Sequence, residues 1–287
     1  MPTRVYTGFD SAWSANNEGA VVSAVNRDGA WTLTGPVAAD YQAAWEHVKR
    51  LDADANYHAL AIDQPLIVRN GDGQRPVEGV AGSPVGRRLG GACSSNRGQH
   101  GGPAAANQRM MFGDDAPVWR FLGRLAGIGF EHNPRRADRA AAAGTGRFCF
   151  EVYPALANLG LFPVFFNPRP LGGGRTAARV PKYNPANANF EIGDWQALCA
   201  CVAQALAQQT LQCPWLAAAA GDPAPRKPDQ DKLDALICLC IALHWTLGDP
   251  ACMIGDLDTG YMVVPTHPPL SEELRAAAAS RRVPFWP

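Results

Sequence analysis

The chain has no net charge: over 287 residues, 26 lysines and arginines balance 26 aspartates and glutamates. A molecule-wide polyanion-binding surface is thereby excluded, and any affinity for nucleic acid has to come from local patches. Long apolar runs are missing too. The longest, Ala235 to Leu243, falls far short of the roughly 20 residues needed to cross a bilayer, so no membrane contact is expected. Met1-Pro2-Thr3-Arg4 leads straight into a strand-like run with no basic and then apolar leader, which predicts a cytoplasmic protein. Eight cysteines are present, but without the spacing of a shared metal site. Cys199/Cys201 and Cys238/Cys240 sit in helical text where the two thiols of each pair face different ways, and His244 adds only a weak further ligand. Reduced cysteines serving as small apolar side chains are the expectation. No internal repeat is visible.

What is present reads as a globular α/β chain, 47% hydrophobic and 18% charged. Arg4–Asp10, Gly19–Val25 and Ala30–Leu33 form a strand meander, with Asp28-Gly29 as a hairpin signal. Tyr41–Leu51 has helical periodicity behind Asp40 as N-cap, and the strand His58–Asp63 follows. From Arg69 to about Gly113 no period survives, and a long irregular insertion is predicted. Between Arg69 and Arg147 there are twelve arginines, six acids and no lysine, a bias suited to bidentate phosphate contacts. Pro117–Ile128 reads as an amphipathic helix, Phe148–Val152 as a strand and Asn167–Asn187 as a second irregular stretch. Helices over Asp194–Gln209 and Pro228–Leu247 and short strands at Met253–Asp256 and Gly260–Pro265 complete the pattern.

The acids stand out by position. Asp10, Asp63 and Glu151 each end an apolar strand-like run, and Asp231 and Asp234 share a face in the first turns of an apolar helix. Acids near a helix N-terminus are favoured by the macrodipole, which accounts for Asp231 as readily as function does. Asp234, set among Leu233, Ala235, Leu236 and Ile237, needs a partner of its own. If the strands of Asp10 and Asp63 lie side by side, roughly 4.8 Å apart, the two carboxylates raise each other's pKa unless a cation neutralises them. Mg²⁺ or Mn²⁺ suits such a site, because these ions take carboxylate oxygens and retain room for substrate phosphate. Two of them can stabilise the attacking and leaving oxygens of an in-line displacement.

The set Gly8-Phe9-Asp10, Ala61-Ile62-Asp63-Gln64-Pro65, Phe150-Glu151-Val152-Tyr153-Pro154, Lys232-Leu233-Asp234-Ala235-Leu236 and Gly260-Tyr261-Met262-Val263-Val264-Pro265 resembles the ribonuclease H-like superfamily. Within it the nearest likeness is to the domain of unknown function 429 family, predicted ribonuclease H-like nucleases. The resemblance implies a mixed five-stranded sheet in the order β-β-β-α-β-α-β-α, flanked by helices. It would be one domain over 1–287, with an arginine/glycine-rich insertion at about 66–116, a second at about 160–190 and a C-terminal β addition. It also implies hydrolysis of phosphodiester bonds in DNA or RNA by a two-metal carboxylate mechanism. Asp10, Asp63 and Asp234 would be metal ligands, and Glu151 and Asp231 would complete the catalytic set. Ser11 and Trp13, just past Asp10, together with Arg69, Arg87, Arg88 and Lys182, are the candidate substrate contacts. Whether the protein is a monomer or a homodimer is left open. Two alternatives stand beside the nuclease: an ATP-dependent phosphotransferase of the actin-like or sugar-kinase class, and a non-catalytic nucleic-acid binder retaining the fold. The former expects several glycine-rich phosphate turns, whereas Gly172-Gly173-Gly174-Arg175-Thr176 is the one candidate and lacks Gly-Lys-Ser/Thr.

Overall fold

The computed structural model describes residues 2–287 apart from 12, 15–16, 90–93, 100–102, 167–168, 171–175 and 178–179, and apart from the side chains of 84–89, 103, 169–170 and 176–177. Strands β1 (Arg4–Asp10), β2 (Gly19–Arg27) and β3 (Ala30–Ala39) form the antiparallel meander. Its β2–β3 turn places Asp28 and Gly29 at φ 52° and 86°. Helix α1 (Tyr41–Asp52) is capped by Asp40, whose Oδ1 accepts the Ala43 N–H at 2.7 Å. Then come β4 (Tyr57–Asp63), α2 (Pro76–Leu89), α3 (Pro103–Phe112), α4 (Pro117–Gly127), β5 (Glu131–His132), α5 (Pro134–Ala143) and β6 (Gly146–Glu151). Helices α6 (Pro154–Leu161) and α7 (Pro163–Phe166) and the two-residue strands β7 (Arg169–Pro170) and β8 (Thr176–Ala177) follow. The chain ends with α8 (Ile192–Ala207), α9 (Pro214–Gly221), α10 (Lys227–Thr246), β9 (Ala251–Asp256), β10 (Gly260–Pro265), α11 (Pro268–Arg281) and β11 (Phe285–Trp286).

The main sheet is mixed and six-stranded, in the order β3-β2-β1-β4-β6-β5, with β1, β4, β6 and β5 mutually parallel. A small antiparallel sheet, β10-β9-β11, lies at the C-terminal end. Five strands of the main sheet match the sequence reading, and the sixth corrects it. Strand β5 is two residues long and leaves no alternating pattern to read. A second correction concerns the segment after Asp63, where α2 and α3 replace much of the expected irregular insertion. Helix α2 is set by tertiary contacts rather than by its own period. Val77, Val80 and Ala81 enter the core, and Glu78 accepts the Arg75 N–H at 2.9 Å ahead of the first turn. The glycine run at 172–174 lies outside the described residues.

Strand alternation sorts the core. Phe9, Leu60, Ile62 and Cys149 face the layer of α1 and α4. On the opposite face, Ala59, Ala61 and Gly8 present almost no side-chain volume, and α10 lies across them. A Cβ on Gly8 would overlap the Ala235 carbonyl oxygen and the Leu239 amide nitrogen. The small residues of β1 and β4 thus let α10 approach at backbone distance. Asp10 and Asp63 continue that same face at the strand ends. No described helix is long and apolar enough to cross a membrane.

Candidate active site

Parallel pairing of β1 with β4 sets Asp10 opposite Asp63, the last pair of the ladder. Same-register residues in neighbouring strands leave the sheet on the same side, so both carboxylates open into one cleft of about 1190 Å³ beside α10. Asp10 is 5% exposed, and Asp63 is partly exposed. Helix α10 enters the cleft with Lys227, Gln230, Asp231 and Asp234, a succession at three- and four-residue spacing and so on one helical face. The helix opens where Asp229 Oδ2 accepts the Arg226 N–H at 2.9 Å. Pro228 occupies its first turn, where no N–H is needed.

The α10 acids are partnered. Asp234 accepts Tyr183 Oη–H on Oδ1 at 2.6 Å and Gln230 Nε2–H on Oδ2 at 2.5 Å. Asp231 is held by the Lys227 ammonium four residues before it. Asp10 and Asp63 differ: among the described residues nothing donates a hydrogen bond to either carboxylate. Burial pushes the Asp10 pKa well above the usual carboxylate range, and the charges of Asp234, Asp63 and Asp231 add to it. Burial and Asp234 do the same to Asp63. Asp234 is pushed up to about 6 by burial, with the Tyr183 and Gln230 hydrogen bonds opposing. Burial works against the Lys227 ammonium, but Asp231, Asp10 and Asp234 outweigh it and raise its pKa.

Glu151 occupies a different environment. It pairs in register with Ile62, one residue before Asp63, so alternation sets it a step out of phase with Asp63. Its carboxylate takes two hydrogen bonds from Arg75, at 2.7 and 2.9 Å, and one from the Leu66 N–H at 2.9 Å. Arg75 also holds Glu78 at 3.0 Å, so one guanidinium is shared by two buried carboxylates. The trio and Asp63 line one small cavity of about 20 Å³.

Of the predicted substrate contacts, Ser11, Trp13 and Lys182 line the cleft. Ser11 Oγ donates to Gln64 Oε1 at 2.6 Å. Lys182 Nζ pairs with Glu191 at 3.4 Å. Arg69 is exposed away from the cleft. Arg87 and Arg88 belong to α2, with their side chains outside the described residues. Among the described residues no arginine lines the cleft: Arg75 is buried in its ion trio, and Arg97 and Arg109 hold the carbonyls of Val68 and Gly98, both at 2.7 Å. Lys227, Gln230 and Tyr183 are the groups that the sequence reading missed. The first two were legible as the preceding turn on the face of Asp234. Tyr183 was not, because it reaches Asp234 across 51 residues of chain.

Among the described residues no three His, Cys, Asp or Glu side chains stand together in the geometry of a metal site. Both Asp234 oxygens accept hydrogen bonds, from Tyr183 and Gln230, and Asp231 Oδ1 pairs with Lys227. The residues present fit a cation held by the Asp10–Asp63 pair alone, the sparse ligation that Mg²⁺ tolerates because it keeps several waters. The chain matches no protein-family model, no curated protein and no solved structure.

Proposed function

We propose that this protein is a divalent-metal-dependent phosphodiesterase acting on nucleic acid, a nuclease of ribonuclease H-like type. One observation carries the reading: two registered strand-end carboxylates, Asp10 and Asp63, face a large cleft and, among the described residues, accept no hydrogen bond, with Lys227 the one cation acting on both. Uncompensated carboxylates at this spacing are costly unless a cation is part of the working state. Bound between them, Mg²⁺ or Mn²⁺ would supply the positive charge that a phosphodiester needs as it becomes more negative on the way to cleavage.

The chain's own groups then have separate tasks. Asp10 and Asp63 would hold the cation. Tyr183 and Gln230 hold Asp234 in a fixed orientation, and Asp234, pushed up to about 6, can hold or release a proton near neutrality. Lys227 pairs with Asp231 and presents a positive charge beside the cleft. Glu151, already neutralised by Arg75, positions the end of β6 rather than ligating.

Calorimetric titration with Mn²⁺ and cleavage assays on DNA and RNA test this. Asp10→Asn and Asp63→Asn are each expected to weaken Mn²⁺ binding and phosphodiester cleavage by about 100-fold or more, the upper end of what second-layer changes cost at metal sites. Unchanged Mn²⁺ affinity in both variants would sink the proposal.

A further inference from the structure

The walls of the cleft carry groups that the metal reading leaves unused. Trp13 and Asn17 come from the segment after β1, and Asn187 and Asn189 from the segment ahead of α8. The three asparagines are exposed, and Trp13 is partly exposed, in a T-shaped contact with Phe112 at 5.8 Å. On the floor, Gln230 gives its Nε2–H to Asp234, while its Oε1 has no partner among the described residues although Gln230 is only 8% exposed. Gln230 lines the cleft, and a turn of its side chain that brings this buried oxygen to the cleft would let a ligand's N–H or O–H supply the missing donor.

Charge and size restrict that ligand. Among the described residues five carboxylates line the cleft against two cations, Lys182 and Lys227. A protein gripping a duplex by its backbone makes roughly 6–10 phosphate contacts. Two lysines serve about two phosphates. The volume, about 1190 Å³, lies just above the roughly 300–1,000 Å³ of small-ligand sites. Side-chain amides pair with base edges, and an indole ring stacks on base faces, which are accessible only in unpaired nucleotides.

We infer that the cleft binds a short unpaired stretch of nucleic acid, about two nucleotides, with the asparagines and Gln230 meeting base or sugar groups, Trp13 offering a ring, and Lys182 and Lys227 serving the phosphates. The inference rests on the phosphodiesterase reading and narrows its substrate. Fluorescence anisotropy with a labelled dinucleotide, a short single strand and the same sequence as duplex, each as DNA and as RNA and in Ca²⁺, tests it. The single strand is expected to bind at least about ten-fold tighter than the duplex, with a slope of log affinity on log salt near −1.4, as for two phosphates on a single strand. The exposed pair Asn187→Ala/Asn189→Ala should weaken it by about ten-fold, the cost of losing amide–base contacts. A stronger RNA arm assigns the Gln230 acceptor to a 2′-hydroxyl, and equal arms assign it to a base; both support the inference. Equal affinity for duplex, a slope near that of a duplex-backbone binder, or an unaffected double variant overturns it. Mn²⁺ uptake without binding of any strand overturns this inference alone; strand binding without Mn²⁺ uptake overturns the metal reading alone.

Discussion

Single residues in this fold divide by who neutralises them. Arg75 and Glu151 are 1% exposed and Glu78 is 2%, and they bond to one another inside the protein, whereas the carboxylates of Asp10 and Asp63 accept no hydrogen bond among the described residues. Truncating one member of a buried ion group is costly because its partners stay behind, charged and unpaired. Arg75→Met is therefore expected to lower unfolding free energy by about 3–5 kcal/mol, measured by urea denaturation. Glu151→Gln should also destabilise while leaving Mn²⁺ affinity intact. A loss of Mn²⁺ binding in Glu151→Gln comparable to that in Asp10→Asn would show instead that Glu151 is a ligand.

At the scale of elements, the site depends on how closely α10 lies on β1. Gly8→Ala forces a methyl group into the Ala235 carbonyl and the Leu239 amide, both backbone, which neither rotamer change nor side-chain bending relieves. The helix has to move, carrying Asp234 with it. A destabilisation of about 1–3 kcal/mol is expected, as for overpacked cores, together with weaker Mn²⁺ binding. A Gly8→Ala protein that titrates Mn²⁺ like the parent would show that the α10 contact does not set the site.

On the other face a buried chain of hydrogen bonds ties α1 to the sheet. His47 Nε2 meets Ser23 Oγ at 2.9 Å, Ser23 meets Thr7 Oγ1 at 2.7 Å, and Thr7 meets His58 Nε2 at 2.9 Å. His58 Nδ1 faces Asp52 at 3.3 Å, and Arg147 Nε donates to the Asp52 carboxylate at 2.7 Å. With Nδ1–H of His58 donated to Asp52, each hydroxyl donates in turn toward His58, which requires the Nε2–H of His47 and leaves both rings neutral. Burial lowers the His58 pKa, and burial with Arg50 and His58 nearby lowers that of His47 from its ordinary 6.5 to about 4. The unfolded chain therefore takes up protons first. The stabilisation from a neutral His47 is complete above about 6.5 and is lost as pH falls toward about 4. The Asp10, Asp63 and Asp234 shifts act with the opposite sign, costing stability as pH rises above the ordinary carboxylate range, for Asp234 up to about 6. His47→Gln keeps a donor for Ser23 and removes the titration. Its loss of stability between neutral pH and pH near 4.5 should be smaller than the parent's by a few kcal/mol at most; an equal loss in denaturant titrations excludes His47 as the cause.

For the whole molecule, a cation bound only by the folded chain stabilises it by mass action. At one hundred times its dissociation constant, Mg²⁺ or Mn²⁺ should add about 2.7 kcal/mol. That gain, followed by thermal unfolding, should vanish in Asp10→Asn and on adding EDTA. A Tm rise of equal size in Asp10→Asn places the bound cation elsewhere.

The residue types and their order were enough to mark the strand-end acids, the meander, the capped α1 and the apolar α10, because alternation and helical spacing are local properties of the chain. They also put Asp10 and Asp63 on neighbouring strands. Three things were decided only in three dimensions. Strand register set Glu151 out of phase with Asp63 and gave it to Arg75, since a one-residue offset reverses a side chain's face and no local pattern records the offset. Packing made α2 a helix despite its glycines, because Val77, Val80 and Ala81 had a core to enter. Chain crossing brought Tyr183 to Asp234, a contact between residues far apart in sequence that fixes which acids are partnered and which are left for a cation.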